Sequence, residues 1–128
     1  MDEKTIQKSF GRQNSVTGVF EIKLVKEKRF NFKRLADHQE KSLLNAESIT
    51  GEYHKLSDMS ADYKPWDCQR IANTPAYVVL VWYVPRKNKT AYYIRIRDFI
   101  AFKNKSKMAS ITEEEASEIC EQMTYLTK

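Results

Sequence analysis

The stretch that most constrains this chain is Ala76-Tyr77-Val78-Val79-Leu80-Val81-Trp82-Tyr83-Val84. It is nearly continuous in apolar and β-branched residues and shows no polar alternation. A strand with one wet face alternates, so an unbroken run predicts a central strand covered on both faces. At nine residues it is also far short of the roughly 20 that a membrane helix needs. The rest of the chain must therefore supply neighbouring strands and helices for both sides of the sheet.

The other segments can do so. Residues 2–14 read as a helix, with Ile6 and Phe10 on one stripe and Lys4, Lys8 and Arg12 on another. Gly11 weakens its interior. Residues 17–26 read as a strand, Val19-Phe20-Glu21-Ile22-Lys23-Leu24-Val25. After the polar turn Lys26-Glu27-Lys28-Arg29, Asn31 is placed to cap a helix running to about Glu47, with Phe30 and Leu35 as a hydrophobic staple. In that helix His38 and Gln39 lie on or beside the buried stripe.

Residues 50–56 and the proline-entered Pro65-Trp66-Asp67-Cys68-Gln69-Arg70-Ile71 read as short strands, separated by the polar stretch Ser57 to Pro65. Past the central strand, Pro85-Arg86-Lys87-Asn88-Lys89 connects to the alternating strand Tyr92-Tyr93-Ile94-Arg95-Ile96-Arg97, a hairpin. Residues 98–104 predict a helical turn. Lys103, Lys105 and Lys107 follow in a basic loop. Thr112-Glu113-Glu114-Glu115 predicts a capping box opening a last helix with the stripe Ala116, Ile119, Cys120 and Met123. The order α-β-α-β-β-β-β-α over residues 1–128 is that of one α/β (α+β) domain, a central mixed sheet flanked by helices.

Composition narrows the function classes. With 22 basic and 17 acidic residues the chain carries +5, which favours a polyanionic partner. Cys68 and Cys120 make neither a disulfide framework nor a metal-ligand spacing, and no secretory signal opens the chain, so a soluble intracellular protein is expected. Three scattered glycines leave no phosphate loop, and His38 and His54 are too few for a histidine-based zinc site or a Ser-His-Asp triad.

On a strand, Glu21 and Lys23 point the same way. A carboxylate beside an ammonium on one sheet face suits metal-assisted phosphodiester hydrolysis. It equally suits a plain ion pair, and acid-x-Lys also occurs at Asp2-Glu3-Lys4 and Asp62-Tyr63-Lys64.

The context of Glu21 and Lys23 distinguishes them. Val19-Phe20-Glu21-Ile22-Lys23, then Phe30-Asn31-Phe32, Leu35, His38-Gln39, the Ala76–Tyr83 run, Tyr92-Tyr93-Ile94, Asp98-Phe99 and Ser110-Ile111-Thr112-Glu113-Glu114 form a series. Over roughly residues 17–119 this series resembles Holliday-junction resolvases of the recombination protein U type and their small phage-encoded relatives, within the PD-(D/E)XK nuclease superfamily.

The resemblance implies a restriction-endonuclease-like fold and a structure-selective, Mg²⁺- or Mn²⁺-dependent DNA endonuclease. Glu21 would match the metal-binding acid, Lys23 the lysine beside the attacking water, and Gln39 the glutamine of the following helix. The aspartate that precedes Glu-x-Lys in larger resolvases has no counterpart here. The nearest replacement is Asp67, in Pro65-Trp66-Asp67, with Glu3 as a second candidate. Glu21, Asp67 and the Ile22 carbonyl would then be the oxygen ligands. Lys8, Arg12, Arg86, Lys87, Lys89, Lys103 and Lys105 would contact DNA backbone. Cutting two strands symmetrically calls for two sites, so a homodimer is expected. The alternative is a nucleic-acid-binding module of the same fold without catalysis.

Overall fold

The computed structural model describes residues 2–55 and 66–126. The polar stretch Ser57 to Pro65, with Leu56 of the expected strand 50–56, lies outside the described residues. The chain runs through helix α1 (Glu3–Gln13), strands β1 (Val19–Val25) and β2 (Arg29–Asn31), and helix α2 (Asp37–Glu47). There follow strands β3 (Glu52–Lys55), β4 (Cys68–Ile71), β5 (Ala76–Trp82) and β6 (Lys89–Arg95), then helix α3 (Ile96–Lys105), strand β7 (Ser110–Thr112), helix α4 (Glu113–Ile119) and strand β8 (Gln122–Leu126). It is a single small α+β domain with a mixed central sheet.

The main sheet has the order β1-β5-β6-β8. β1 and β5 are parallel, with Glu21 opposite Val78 and Lys23 opposite Leu80. β5, β6 and β8 are antiparallel neighbours. Every residue of β5 is buried, as its unbroken apolar run requires. Parallel strands cannot be joined by a tight turn. The crossover from β1 to β5 carries α2 and the antiparallel pair β3–β4.

The core has two halves, one on each sheet face. On one face α1 lays Ile6 and Phe10 against Leu24, Tyr77, Val79 and Tyr93. The Phe10, Phe20 and Tyr93 rings meet there at 5.1–5.9 Å between centroids. On the other face Leu43 and Ala46 of α2 and Phe99 of α3 pack on Val78, Leu80 and Ile94. Each fully buried large side chain of this kind contributes about 1.5–3 kcal/mol. The short pair β2–β7 closes one end, bringing Phe30 and Ile111 together with no exposed surface.

Several expectations are corrected. The strand expected to reach Arg97 ends at Arg95, and α3 takes Ile96 to Lys105, so Lys103 and Lys105 lie in that helix and not in a loop. The helix expected from Asn31 begins only at Asp37. Asn31 does cap, through its side chain and the Lys33 N–H at 2.9 Å, but what it caps is the short 3₁₀ turn Phe32–Arg34. Leu35 then returns to extended backbone. The last helix stops at Ile119, so Met123 is not on its stripe. Glu121 N–H donates to the Tyr93 carbonyl at 2.8 Å and draws the chain into β8 beside β6, where Met123 is exposed. The capping box at Thr112 and Glu115 forms as expected. Among the described residues, no helix is long and apolar enough to cross a membrane.

Gly51 sets the entry to β3. Its φ is +75°, a conformation that side-chain-bearing residues avoid, and a Cβ there would stand 2.4 Å from the Ile71 carbonyl oxygen. Gly51→Ala is therefore expected to destabilise the domain by about 1–3 kcal/mol. Amide exchange should show the loss concentrated in β3 and β4. Wild-type protection in those strands would contradict the assignment.

Candidate functional site

Strand alternation places the Glu21 and Lys23 side chains on the α2 side of the sheet, the same face as Val78 and Leu80. Their charged ends meet, with Lys23 Nζ 3.4 Å from Glu21 Oε1. The pair is well covered, the Lys23 side chain 12% exposed and that of Glu21 28%. A third group converges from α2, where Gln39 Nε2 donates to the same Glu21 Oε1 at 3.0 Å. The Gln39 Oε1 in turn accepts the Ala36 N–H at 3.0 Å, at the start of α2.

The amide thus does two jobs that a carboxylate could not combine. It accepts the backbone N–H of Ala36, the residue before the first turn of α2, and it holds Glu21 in a fixed orientation. Both contacts to the Glu21 carboxylate fall on one oxygen.

β1 lies at the open edge of the sheet. Val19 N–H donates to Pro75 O, and Val25 O accepts from Tyr83 N–H, so the odd-numbered residues of β1 bond to β5. The carbonyls of the even-numbered residues point outward. That of Leu24 is taken by Arg34 Nη2 at 3.0 Å. By the same alternation the Ile22 carbonyl faces the open edge, next to Glu21.

A pocket of about 210 Å³ opens beside Glu21, bounded by Gln39 and His38 of α2, by Glu52 and His54 of β3, and by Ile71 of β4. Glu52 Oε1 accepts from Asn45 Nδ2 at 2.8 Å, and His54 Nε2 stands 3.7 Å from Glu52 Oε2. Sequence reasoning did not single out Glu52 or His54. The available signal was their i, i+2 spacing on a short expected strand.

Asp67 is exposed and just precedes β4, and it does not line this pocket. The Tyr53 hydroxyl is raised above its ordinary pKa, first by its hydrogen bond to Cys68 and least by the charge of the Asp67 carboxylate. Glu3 lies away from Glu21. It pairs with Arg34 at 3.4 Å and lines a separate pocket with Asp2 and Glu27.

Lys8, Arg12, Arg86, Lys87 and Lys105 are exposed. Lys89 is buried, with Nζ donating to the Lys87 carbonyl at 3.1 Å. Lys103 is paired with Glu40 at 2.9 Å, tying α3 to α2. Among the described residues, no three His, Cys, Asp or Glu side chains gather in a metal-binding group. The Glu21 carboxylate and the carbonyl of the adjacent Ile22 are hard oxygen donors of the kind Mg²⁺ and Mn²⁺ prefer.

Comparison with family models, with curated proteins and with solved structures finds no match to this chain. The reading of the site rests on its own residues.

Proposed function

We propose that the protein is a Mg²⁺- or Mn²⁺-dependent endonuclease acting on branched DNA, with a restriction-endonuclease-like fold and the Glu21 pocket as its active site. The observation that carries this is the convergence of Glu21, Lys23 and Gln39 on one sheet face, at 3.4 and 3.0 Å, beside an open strand edge. The basic balance of the chain, +5, fits a polyanionic substrate.

Hydrolysis breaks one P–O bond and forms another to a water oxygen. The water surrenders a proton and the leaving oxygen gains one. A divalent cation held by Glu21 and the Ile22 carbonyl would supply charge to the phosphate and acidify the water; Asp67, outside the pocket lining, is not placed to join them. Lys23 contributes a fixed positive charge where negative charge develops. Gln39 keeps the Glu21 carboxylate from swinging toward Lys23 alone. Exposed Lys8, Arg12, Arg86, Lys87 and Lys105 would hold the DNA backbone, and symmetric cutting would use a homodimer.

Incubation of the purified protein with four-way junction, forked and linear duplex DNA tests this. Cleavage is expected with Mg²⁺ or Mn²⁺, stronger on the branched substrates, and none in chelator. Branched and linear DNA left intact in both metals, with binding retained, would reduce the protein to a nucleic-acid-binding module.

A further inference from the structure

The β3–β4 pair has two unlike faces. The register sets Glu52 opposite Ile71 and His54 opposite Gln69, and Glu52, His54 and Ile71 line the Glu21 pocket. The alternating residues belong to the other face, with Tyr53 opposite Arg70 and Lys55 opposite Cys68. These four are exposed. Tyr53 is 65% exposed, and Trp66, two residues before Cys68, is 56% exposed.

Of the four exposed aromatic side chains among the described residues, Tyr53 lies on this pair and Trp66 just before it, while Tyr83 and Tyr125 lie elsewhere. The strand residues of this outer face carry two cations, Lys55 and Arg70, and the Asp67 carboxylate just before β4 also acts on Tyr53. The Arg70 guanidinium is fixed, with Nη2 donating to the Ile49 and Thr50 carbonyls at 2.9 and 3.1 Å. The Tyr53 hydroxyl is tied diagonally to Cys68. The face is therefore ordered, aromatic and cationic.

We infer that the outer face of the β3–β4 pair, through Tyr53 and Trp66 with Lys55 and Arg70, is a stacking platform for unpaired DNA bases entering the Glu21 pocket. Aromatic rings stack on any base and cations track the phosphates beside them, which is the chemistry of single-strand recognition. A paired base inside a duplex offers its rings no open face, whereas bases at a fork or junction do. Both faces belong to one two-stranded sheet, whose inner residues Glu52, His54 and Ile71 border Glu21. The inference rests on the nuclease reading for what happens in the pocket. It adds the part of the substrate that selects branched over linear DNA.

Binding in EDTA separates this from cleavage. Fluorescence of a single strand and of a forked duplex carrying 2-aminopurine, and anisotropy of a blunt duplex, would be followed for wild type, Tyr53→Ala, Trp66→Ala and Tyr53→Phe. Each alanine variant is expected to weaken single-strand and fork binding about 5- to 100-fold, with the blunt duplex unchanged. Tyr53→Phe should keep wild-type affinity and quenching, because the ring and not the hydroxyl stacks. Thermal unfolding of each variant confirms that the exposed substitutions leave the fold intact.

Several outcomes overturn the platform. No affinity of wild type for single strands, wild-type binding of them by the alanine variants, or an equal fall in duplex affinity would each do so. A loss of self-association in the alanine variants with DNA binding intact would assign the face to a second copy of the chain and also overturn it. Cleavage plays no part in these readouts. An inactive protein that binds forks through Tyr53 would sink the nuclease reading alone.

Discussion

Glu21→Gln and Lys23→Met are each expected to lower cleavage by at least about a hundred- to a thousand-fold, the loss typical when one group facing developing charge is removed. Binding to branched DNA in chelator should stay within a few-fold of wild type. The two variants should differ in stability. Lys23 is largely covered and its carboxylate partner is Glu21, at 3.4 Å. Glu21→Gln leaves that ammonium without a counter-charge, whereas Lys23→Met removes the charge and keeps the apolar stem. Glu21→Gln should thus lower the melting temperature more than Lys23→Met, because the latter leaves a Glu21 carboxylate that is more exposed than Lys23 and still hydrogen-bonded by Gln39.

Gln39→Glu is the informative companion to these. It keeps the acceptor for the Ala36 N–H but sets a second carboxylate against Glu21, so cleavage should fall while α2 stays formed. Full activity in either Glu21→Gln or Lys23→Met would remove the pocket from the chemistry, whatever the binding data showed.

The parts of this arrangement that could be seen in the chain are those set by local periodicity. Alternation on a strand puts Glu21 and Lys23 on one face, and it needs no tertiary information. The unbroken run from Ala76 to Trp82 announces a strand buried on both sides, and it stands between β1 and β6. Gln39 could be placed on or beside the buried stripe of a helix that must cover the sheet, but its part at Glu21 comes only from the resemblance.

The parts that could not be read are set by which surfaces meet. Glu52 and His54 face the pocket because Gly51 turns the chain back and the β3–β4 pair folds over α2. Nothing in a four-residue strand says which of its faces will be covered. Lys89 looks like one more basic loop residue, yet it is buried under the turn that precedes β6. β8 was hidden because Ala116, Ile119, Cys120 and Met123 keep a helical spacing past the point where the backbone leaves the helix. Asp67 shares a proline-entered segment in sequence, but its position on the β3–β4 pair depends on how that pair docks.

The largest effect on stability is expected away from the pocket, at Glu47. This carboxylate ends α2 with only 5% of its side chain exposed and gathers three donors. Ala76 N–H reaches Oε2 at 3.0 Å, Arg95 Nη2 reaches it at 2.8 Å, and Arg97 Nε reaches Oε1 at 3.3 Å. It thereby pins the start of β5 and the end of β6 to α2. Removing one partner of such a covered pair costs about 3–5 kcal/mol, so Glu47→Ala should lower the melting temperature by about 10 °C or more.

The pH dependence has a definite sign. Burial pushes the Glu47 carboxyl up, but the Ala76 N–H and the Arg95 guanidinium outweigh it and hold the carboxyl below its ordinary value of 4.5. A group whose pKa is lower in the folded state binds fewer protons there than in the unfolded chain. Its contribution is complete above the unfolded value and is lost as pH falls through the lowered folded value. The melting-temperature gap between wild type and Glu47→Gln should therefore be widest near neutral pH and narrow below about pH 4. A gap that stays constant from pH 7 to pH 3 would mean that Glu47 acts through packing and its neutral hydrogen bond rather than through its charge.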